Sequence, residues 1–126
     1  MSRTGTTNLH KRKLIRSLRA VSTKTGQPVW SRISELLSAP RRKRIIVNIS
    51  KINRHAYDGE VIIVPGKVLG AGKLEGKRLT VVADSFTQKA YEKLSKAGCR
   101  LMLLEDIVSS GDIANELKGS KVKIIR

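Results

Sequence analysis

Glycine and lysine recur together in one short stretch of the chain. Gly66 is followed by Lys67, and Gly70 and Gly72 are followed by Lys73. Glycine lets the backbone adopt positive φ or come close to another surface, and lysine supplies positive charge. This combination predicts contact with phosphate groups.

The spacing does not fit a nucleotide-binding loop. Counted from Gly66, the second glycine of a Walker loop would fall on Ala71. Lys73, the lysine of the stretch, is followed by Leu74, whereas the lysine of a Walker loop is followed by a magnesium-binding Ser or Thr. Counted from Gly70, a dinucleotide fingerprint would have Glu75 at its last required glycine. A hairpin whose glycines serve only the turn remains an alternative.

Two apolar runs flank the glycine stretch and must position it. Val61 to Val64 predict a strand buried on both faces, and Pro65-Gly66 predict its end, because proline brings no backbone donor. Residues 78–83 predict the next strand. Ser85 with Gln88 three residues later forms a capping box, which predicts the start of a helix.

The other segments complete an α/β pattern. One helix is predicted to begin at Leu9 and another at Pro28. Further strands are predicted at residues 45–49, 100–104 and 122–125. Short helical segments are predicted after Ser50, at Glu105-Asp106 and at residues 112–117. Short strands alternating with short helices predict an α/β fold with partly parallel pairing. We therefore expect a basic N-terminal arm with two helices over residues 1–44 and a compact α/β core over residues 45–126.

Positive charge is abundant and unevenly placed. The chain has 26 Lys and Arg against 10 Asp and Glu, a formal net charge of +16. Residues 1–44 contribute +11 of it and residues 45–126 only +5. Such an excess needs a polyanion, so nucleic acid is the predicted partner. With four aromatic residues in all, shape and charge are expected to outweigh base stacking.

The helix predicted from Leu9 carries much of this charge. Arg12, Arg16 and Arg19 recur at i, i+4 and i+7, and Asn8 would cap the helix start. The apolar stripe consists of Leu14, Ile15, Leu18 and Val21. A row of one sign without acidic partners is unfavourable on a free helix. RNA contact is therefore predicted over a merely solvated face.

Three further features have two interpretations each. Trp30 could stack on a base, but beside an apolar stripe it is predicted to be a core or edge residue. Arg41–Arg44 precede a strand, which favours a phosphate clamp over a solvated turn. Lys89, Lys93 and Lys96 form a helix row that fits an RNA face and a solvated face equally well.

Several classes of function are not expected. The single Cys99 allows no internal disulfide, and the isolated His10 and His55 make no metal site. Asp84-Ser85 lacks a glycine elbow, so an enzyme is not predicted, and neither a cofactor nor a small-molecule substrate is expected. No apolar run approaches a membrane span or a secretory signal, which predicts a cytoplasmic protein without a membrane partner.

The motifs resemble those of a known family. Three segments are similar to the archaeal and eukaryotic large-subunit ribosomal protein eighteen-e family: Val61–Gly72 with Pro-Gly-Lys-Val-Leu-Gly-Ala-Gly, Leu79–Phe86, and Ala97-Gly98. This family is a relative of the C-terminal part of bacterial large-subunit protein fifteen. The resemblance extends over nearly the whole chain, because it also includes Ala90, Lys93, Arg3–Asn8 and Val47–Asn53. Cys99 and His10 depart from the family pattern, where a glycine and an acidic residue are common.

The resemblance implies an irregular β-β-α superhelix preceded by a basic helical arm. It also implies a structural constituent of the large ribosomal subunit that stabilises folded ribosomal RNA beside neighbouring ribosomal proteins. A free-standing RNA- or DNA-binding regulator is the alternative, and a nucleotide-dependent enzyme is a more distant one. The predicted RNA-binding residues are Arg3, Asn8, His10, Lys11, Arg12, Lys13, Arg16, Arg19, Arg32, Arg41, Arg42, Lys43, Arg44, Lys51, Asn53, Arg54, Gly66, Lys67, Gly70, Gly72, Lys73, Lys89 and Lys93.

Overall fold

The computed structural model describes residues 9–38, 45–109 and 121–126. Their elements are α1 (Leu9–Thr25), α2 (Pro28–Leu37), β1 (Ile45–Asn48), α3 (Ile49–His55), β2 (Val61–Leu69), β3 (Thr80–Phe86), α4 (Gln88–Lys96), β4 (Arg100–Leu103), α5 (Leu104–Ser109) and β5 (Val122–Ile124). The predicted α/β fold is confirmed. The predicted cap at Asn8 and the helix predicted at 112–117 lie outside the described residues.

The chain divides into two compact units. The described residues of the first unit are 9–38 and 105–109, and those of the second are 45–104 and 121–126. The first unit thus includes most of α5 in addition to the two N-terminal helices. The expected division into an arm over residues 1–44 and a core over residues 45–126 stays a prediction.

The first unit contains the pair of packed helices α1 and α2. Leu18 of α1 and Ile33 of α2 are fully buried. Gly26, with φ at 70°, makes the turn between the helices, and Pro28 begins α2 as predicted. Trp30 is buried and its Nε1 donates to Gln27 Oε1 at 2.6 Å, which confirms that it is a core residue.

The second unit is built on a sheet with the order β1-β2-β3-β4, in which β5 also pairs with β2. All described strand pairs are parallel, where partly parallel pairing was expected. A buried cluster joins the sheet to α3 and α4; among its members are Val47, Ile49, Ile52, Ile62, Val64, Val68, Val81, Ala83, Ala90 and Leu94. This core fixes the loop between β2 and β3 at the carboxyl end of a buried strand.

Strand β2 does not stop at Pro65-Gly66, so that prediction is wrong. The strand continues to Leu69, and its pairing with β3 shifts register between Val64 and Lys67. A register shift tolerates a proline because it interrupts the regular ladder of donors. On the other side of β2, Gly66 pairs with Ile45 of β1.

The predicted starts of two helices also need correction. Ser85 lies within β3, and Thr87 caps α4 by accepting a bond from Ala90 N to its Oγ1 at 3.2 Å. A hydroxyl at the residue immediately before a helix satisfies one of its free amides, and Thr87 occupies that place. Helix α3 begins at Ile49, which was predicted to be the end of a strand.

Candidate RNA-binding surfaces

Helix α1 presents its arginines on an exposed face. Arg12, Arg16 and Arg19 line one cleft together with Ile15 and Ser38, which all belong to the first unit. The guanidinium group is a planar fork that binds phosphate oxygens through two parallel bonds. An exposed cleft with three such groups has the chemistry of a phosphate-binding site.

Helix α2 orients one of these arginines. Arg19 Nε donates to Ser34 Oγ at 3.4 Å, and Ser34 is buried with its Oγ donating to Ser31 O at 2.7 Å. The bond to Ser34 uses Nε rather than a terminal guanidinium nitrogen. This bond restricts the orientations that the fork of Arg19 can take.

The other predicted residues of the first unit have different environments. Lys13 is exposed on α1. Arg32 of α2 is exposed and forms an ion pair with Glu35 at 3.1 Å, which offsets part of its charge. His10 and Lys11 lie on α1 with side chains outside the described part, and Arg3, Asn8 and Arg41 to Arg44 lie outside the described residues altogether.

The loop after β2, residues 70–79, is held from two sides by the second unit. Lys93 Nζ of α4 donates to Gly70 O at 2.7 Å and to Gly72 O at 3.0 Å. From α3, Ser50 N donates to Ala71 O at 3.1 Å. The first half of the loop is thus fixed before any partner binds.

Asn53 of α3 holds the second half of the loop. Its Oδ1 accepts from Glu75 N at 3.2 Å, and its backbone oxygen accepts from Lys77 Nζ. Lys51, two residues earlier on α3, donates from Nζ to Arg126 O at 2.5 Å. Asn53 and Lys51 thus serve internal contacts, while the predicted Arg54, near the end of α3, is exposed.

Internal packing accounts for three glycines of the predicted site. A Cβ on Gly66 would lie 2.1 Å from Ile45 O, and one on Gly70 would lie 2.8 Å from Lys89 Cγ. Gly72 has φ at 102°, and its Cβ would lie 2.6 Å from Ser50 Cβ. Glycine is needed at these positions whether or not a phosphate approaches, so their contact with RNA stays a prediction.

The lysines around the loop divide into two groups. Lys67, Lys73 and Lys89 are exposed, as is Lys96 farther along α4. Lys93 is half-buried and its ammonium faces the loop carbonyls. The predicted lysine row of α4 is therefore not uniform, because one of its members braces the loop.

A charged cluster that the sequence interpretation missed surrounds Glu60. This side chain is 3% exposed, and its Oε1 accepts from Tyr57 N at 2.6 Å. Lys123 Nζ lies 3.4 Å from Oε1, and Lys121 Nζ lies 3.9 Å from Oε2. The bond from Tyr57 N, helped by the two lysines, holds the pKa of Glu60 below its ordinary value although burial raises it.

The position of Glu60 gave a signal that could have revealed this cluster. Glu60 directly precedes the apolar run at Val61, where an unpaired carboxylate would be unfavourable. Lys121 and Lys123 alternate with apolar residues in the last predicted strand. A search for the partners of Glu60 among basic residues next to strands would have found them.

We also searched the described residues for metal-ligand clusters and membrane-spanning helices, and we considered the environment of the single thiol. No group of three or more His, Cys, Asp or Glu residues is placed to hold a metal ion within the ranges 9–38, 45–109 and 121–126. None of the helices in those ranges has the length and apolar character to cross a membrane. Cys99 is half-buried against the core, and burial raises the pKa of its thiol.

Comparison with known proteins defines the class of the chain. The family of ribosomal proteins that comprises 50S-L15, 50S-L18e and a 60S counterpart matches residues 31–102. Proteins described as large ribosomal subunit protein eL18 are 44% identical over 126 residues in Sulfolobus acidocaldarius, 44% over 112 residues in Methanothermobacter thermautotrophicus and 38% over 125 residues in Methanococcus maripaludis. These matches cover 100%, 89% and 99% of this chain and 99%, 92% and 99% of the relatives.

The chain therefore belongs to this ribosomal protein family, and within it to the archaeal and eukaryotic eL18 group. The resemblance inferred from the sequence motifs is confirmed.

Proposed function

We propose that this chain is a structural constituent of the large ribosomal subunit and that it binds folded ribosomal RNA there. The observation that carries the proposal is the cleft lined by Arg12, Arg16 and Arg19 on an exposed helix face. Membership in a ribosomal protein family and a formal net charge of +16 support it. In this proposal the role is structural rather than catalytic, and the chain contacts large-subunit RNA and neighbouring large-subunit proteins.

Recognition in this proposal depends on shape and phosphate positions. Folded RNA presents phosphates and 2′-hydroxyls across a shallow minor groove, which proteins read through geometry. The arginine cleft supplies forked donors to the RNA. In the second unit the braced loop carries Lys73, and β2 carries Lys67, both exposed. A loop already fixed by its own bonds loses little conformational freedom when RNA binds.

Sedimentation tests the proposal directly. The full-length chain, tagged and expressed in its native host, is followed through a sucrose gradient of a cleared lysate, with the subunit peaks identified by their RNA. The proposal expects the chain in the large-subunit peak at low salt and its release as salt increases, because phosphate contacts are lost with rising ionic strength. A chain found only in the light fractions would favour a free-standing regulator and overturn the proposal.

A further inference from the structure

One exposed tyrosine sits in a rigid turn beside two lysines. Tyr57 follows α3, and its side chain is 69% exposed. Both ammonium groups lie over the ring: Lys123 Nζ is 4.9 Å from its centre and Lys121 Nζ is 5.9 Å from it. Neither Tyr57 nor either lysine belongs to the predicted RNA-binding set.

The backbone of this turn is fixed by several bonds. Glu60 N donates to Tyr57 O at 3.2 Å, while Tyr57 N donates to the buried carboxylate of Glu60. Gly59 has φ at 85°, as a type II turn requires at its third position. Asp58 Oδ1 accepts from Arg78 N at 2.6 Å, which ties the turn to the end of the loop that precedes β3. The backbone that carries the Tyr57 ring is thus preorganised.

The two lysines have different tasks. Lys123 Nζ donates to His55 O at 2.8 Å and forms an ion pair with Glu60, and its side chain is 32% exposed. The side chain of Lys121 is 76% exposed, with its Nζ 3.9 Å from the Glu60 carboxylate. Of these two ammonium groups, that of Lys121 is the more accessible to a phosphate.

We propose that Tyr57 is a stacking platform for one unpaired RNA base and that Lys121 binds the adjoining phosphate. The two lysines lie over the ring, so the base stacks on the opposite face of this exposed side chain. A ring carried by a fixed turn accepts a base with little loss of entropy, and stacking tolerates any of the four bases. Each nucleotide offers both a flat base and a phosphate, which matches a ring next to an ammonium group. An acidic protein segment would supply only the charge. The base must be unpaired, because a base within a helix has no free face.

The inference rests on the proposed function, and it adds a stacking contact where the sequence led us to expect shape and charge to outweigh base stacking. It adds one stacking contact to a mode of binding that otherwise depends on phosphate positions. Lys123 and Glu60 act as positioning residues, since they hold the turn and keep Lys121 near the Tyr57 ring.

Substitution of the platform tests the inference with the full-length chain and purified large-subunit ribosomal RNA from the same host. Tyr57→Leu keeps an apolar side chain but removes the ring, so RNA binding should weaken about tenfold. Tyr57→Phe keeps the ring and should bind within about twofold of the wild type. Tyr91→Leu is the matched control, since Tyr91 is also exposed, at 55%, and lies on α4. Urea unfolding of each variant verifies that the fold is intact.

Ultraviolet crosslinking of the same complexes supplies an independent measurement. A nucleotide adduct is expected on Tyr57 of the wild-type chain, and Lys121→Ala should weaken binding while leaving the ring in place. Affinity of Tyr57→Leu equal to that of the wild type, without an adduct on Tyr57, would overturn the inference and leave the proposed function intact. Normal RNA binding by Tyr57→Leu with poor incorporation into subunits would assign the surface to a neighbouring protein and also overturn it. A wild-type chain that does not bind the RNA would instead refute the proposed function.

Discussion

The two units of this protein use their positive charge differently. In the first unit, Arg12, Arg16 and Arg19 line an exposed cleft. In the described part of the second unit, a set of lysines donates to backbone oxygens of the protein itself: Lys51, Lys77, Lys93 and Lys123. A lysine on a long flexible stem reaches carbonyl groups on neighbouring elements, whereas the arginine fork suits an external phosphate. Counting basic residues therefore overstates the number of ammonium groups that the second unit can offer for direct contact with a partner.

This contrast separates substitutions that damage the fold from those that damage binding. Residues that brace the second unit should affect the free energy of unfolding, and residues that line the cleft of the first unit should affect RNA affinity. The following four predictions test the division.

The largest effect on stability is expected at Gly66. In Gly66→Val the new Cβ would lie 2.1 Å from Ile45 O, a backbone atom of the paired strand. Overpacking at such a place should lower the free energy of unfolding by on the order of 3 kcal/mol, measured by urea denaturation. Lys67→Ala, at the adjacent exposed position, should stay within about 0.5 kcal/mol of the wild type. Equal stability of the two variants would show that β1 and β2 are not packed as described.

Neutralising the cleft arginines should change binding more than folding. The combined variant Arg12→Gln, Arg16→Gln and Arg19→Gln should lower the slope of log affinity against log salt by about 2 to 3, because up to three phosphate contacts are lost. The slope is measured by filter binding to large-subunit ribosomal RNA. Lys24→Gln is the control, since Lys24 is exposed in the last turn of the same helix and does not line the cleft. A slope unaffected by the triple substitution would move the main RNA contact away from α1.

Removing the loop brace should have a moderate effect on stability. Lys93→Ala deletes the ammonium that bonds Gly70 O and Gly72 O, which should lower the free energy of unfolding by about 1 to 2 kcal/mol. Lys96→Ala, one turn later on α4 and exposed, should be near neutral. Both are measured by thermal and urea unfolding. Indistinguishable curves for the two variants would mean that the loop holds its shape without Lys93.

The smallest effect is a pH dependence at Glu60. Its pKa in the folded protein is lower than the ordinary value of 4.5, so its stabilising contribution is present above that value and disappears as pH falls through the native pKa. Glu60→Gln should therefore be less stable than the wild type at pH 7, and the difference in Tm should shrink in acid. Glu92→Gln, at an exposed position of α4, is the control for loss of a surface carboxylate and should change the free energy of unfolding at pH 7 by less than about 0.5 kcal/mol. A difference in Tm that is independent of pH would disprove the ionic role of Glu60.

Local patterns allowed much of the fold to be predicted. The arginine spacing of α1, the proline that starts α2 and the apolar runs of β2 and β3 each depend on residues close together in sequence. The continuation of β2 through Pro65 was missed, because pairing with Ile45 and the register shift beside β3 override the local effect of proline. Such pairing joins residues about twenty positions apart and leaves no local signal.

The candidate site was predicted less completely than the fold. The arginine periodicity located the cleft of the first unit, and the family motif located the loop of the second. The inward direction of Lys93 was not foreseen, because an exposed helix row and a bond to a distant carbonyl require the same residue type. Tyr57 was passed over for a similar reason, since its lysine neighbours lie more than sixty residues further along the chain.

The parallel pairing of β5 with β2 has a consequence for the order of events during synthesis. Val61 pairs with Val122, so one edge of β2 lacks its partner strand β5 until about sixty more residues have been translated. At about 5 to 20 residues per second, this delay lasts roughly 3 to 12 seconds. During that interval both Glu60 and the ring of Tyr57 lack their two lysine partners. The nascent chain would therefore offer its arginine helix to RNA several seconds before the ring and its lysines form a complete site.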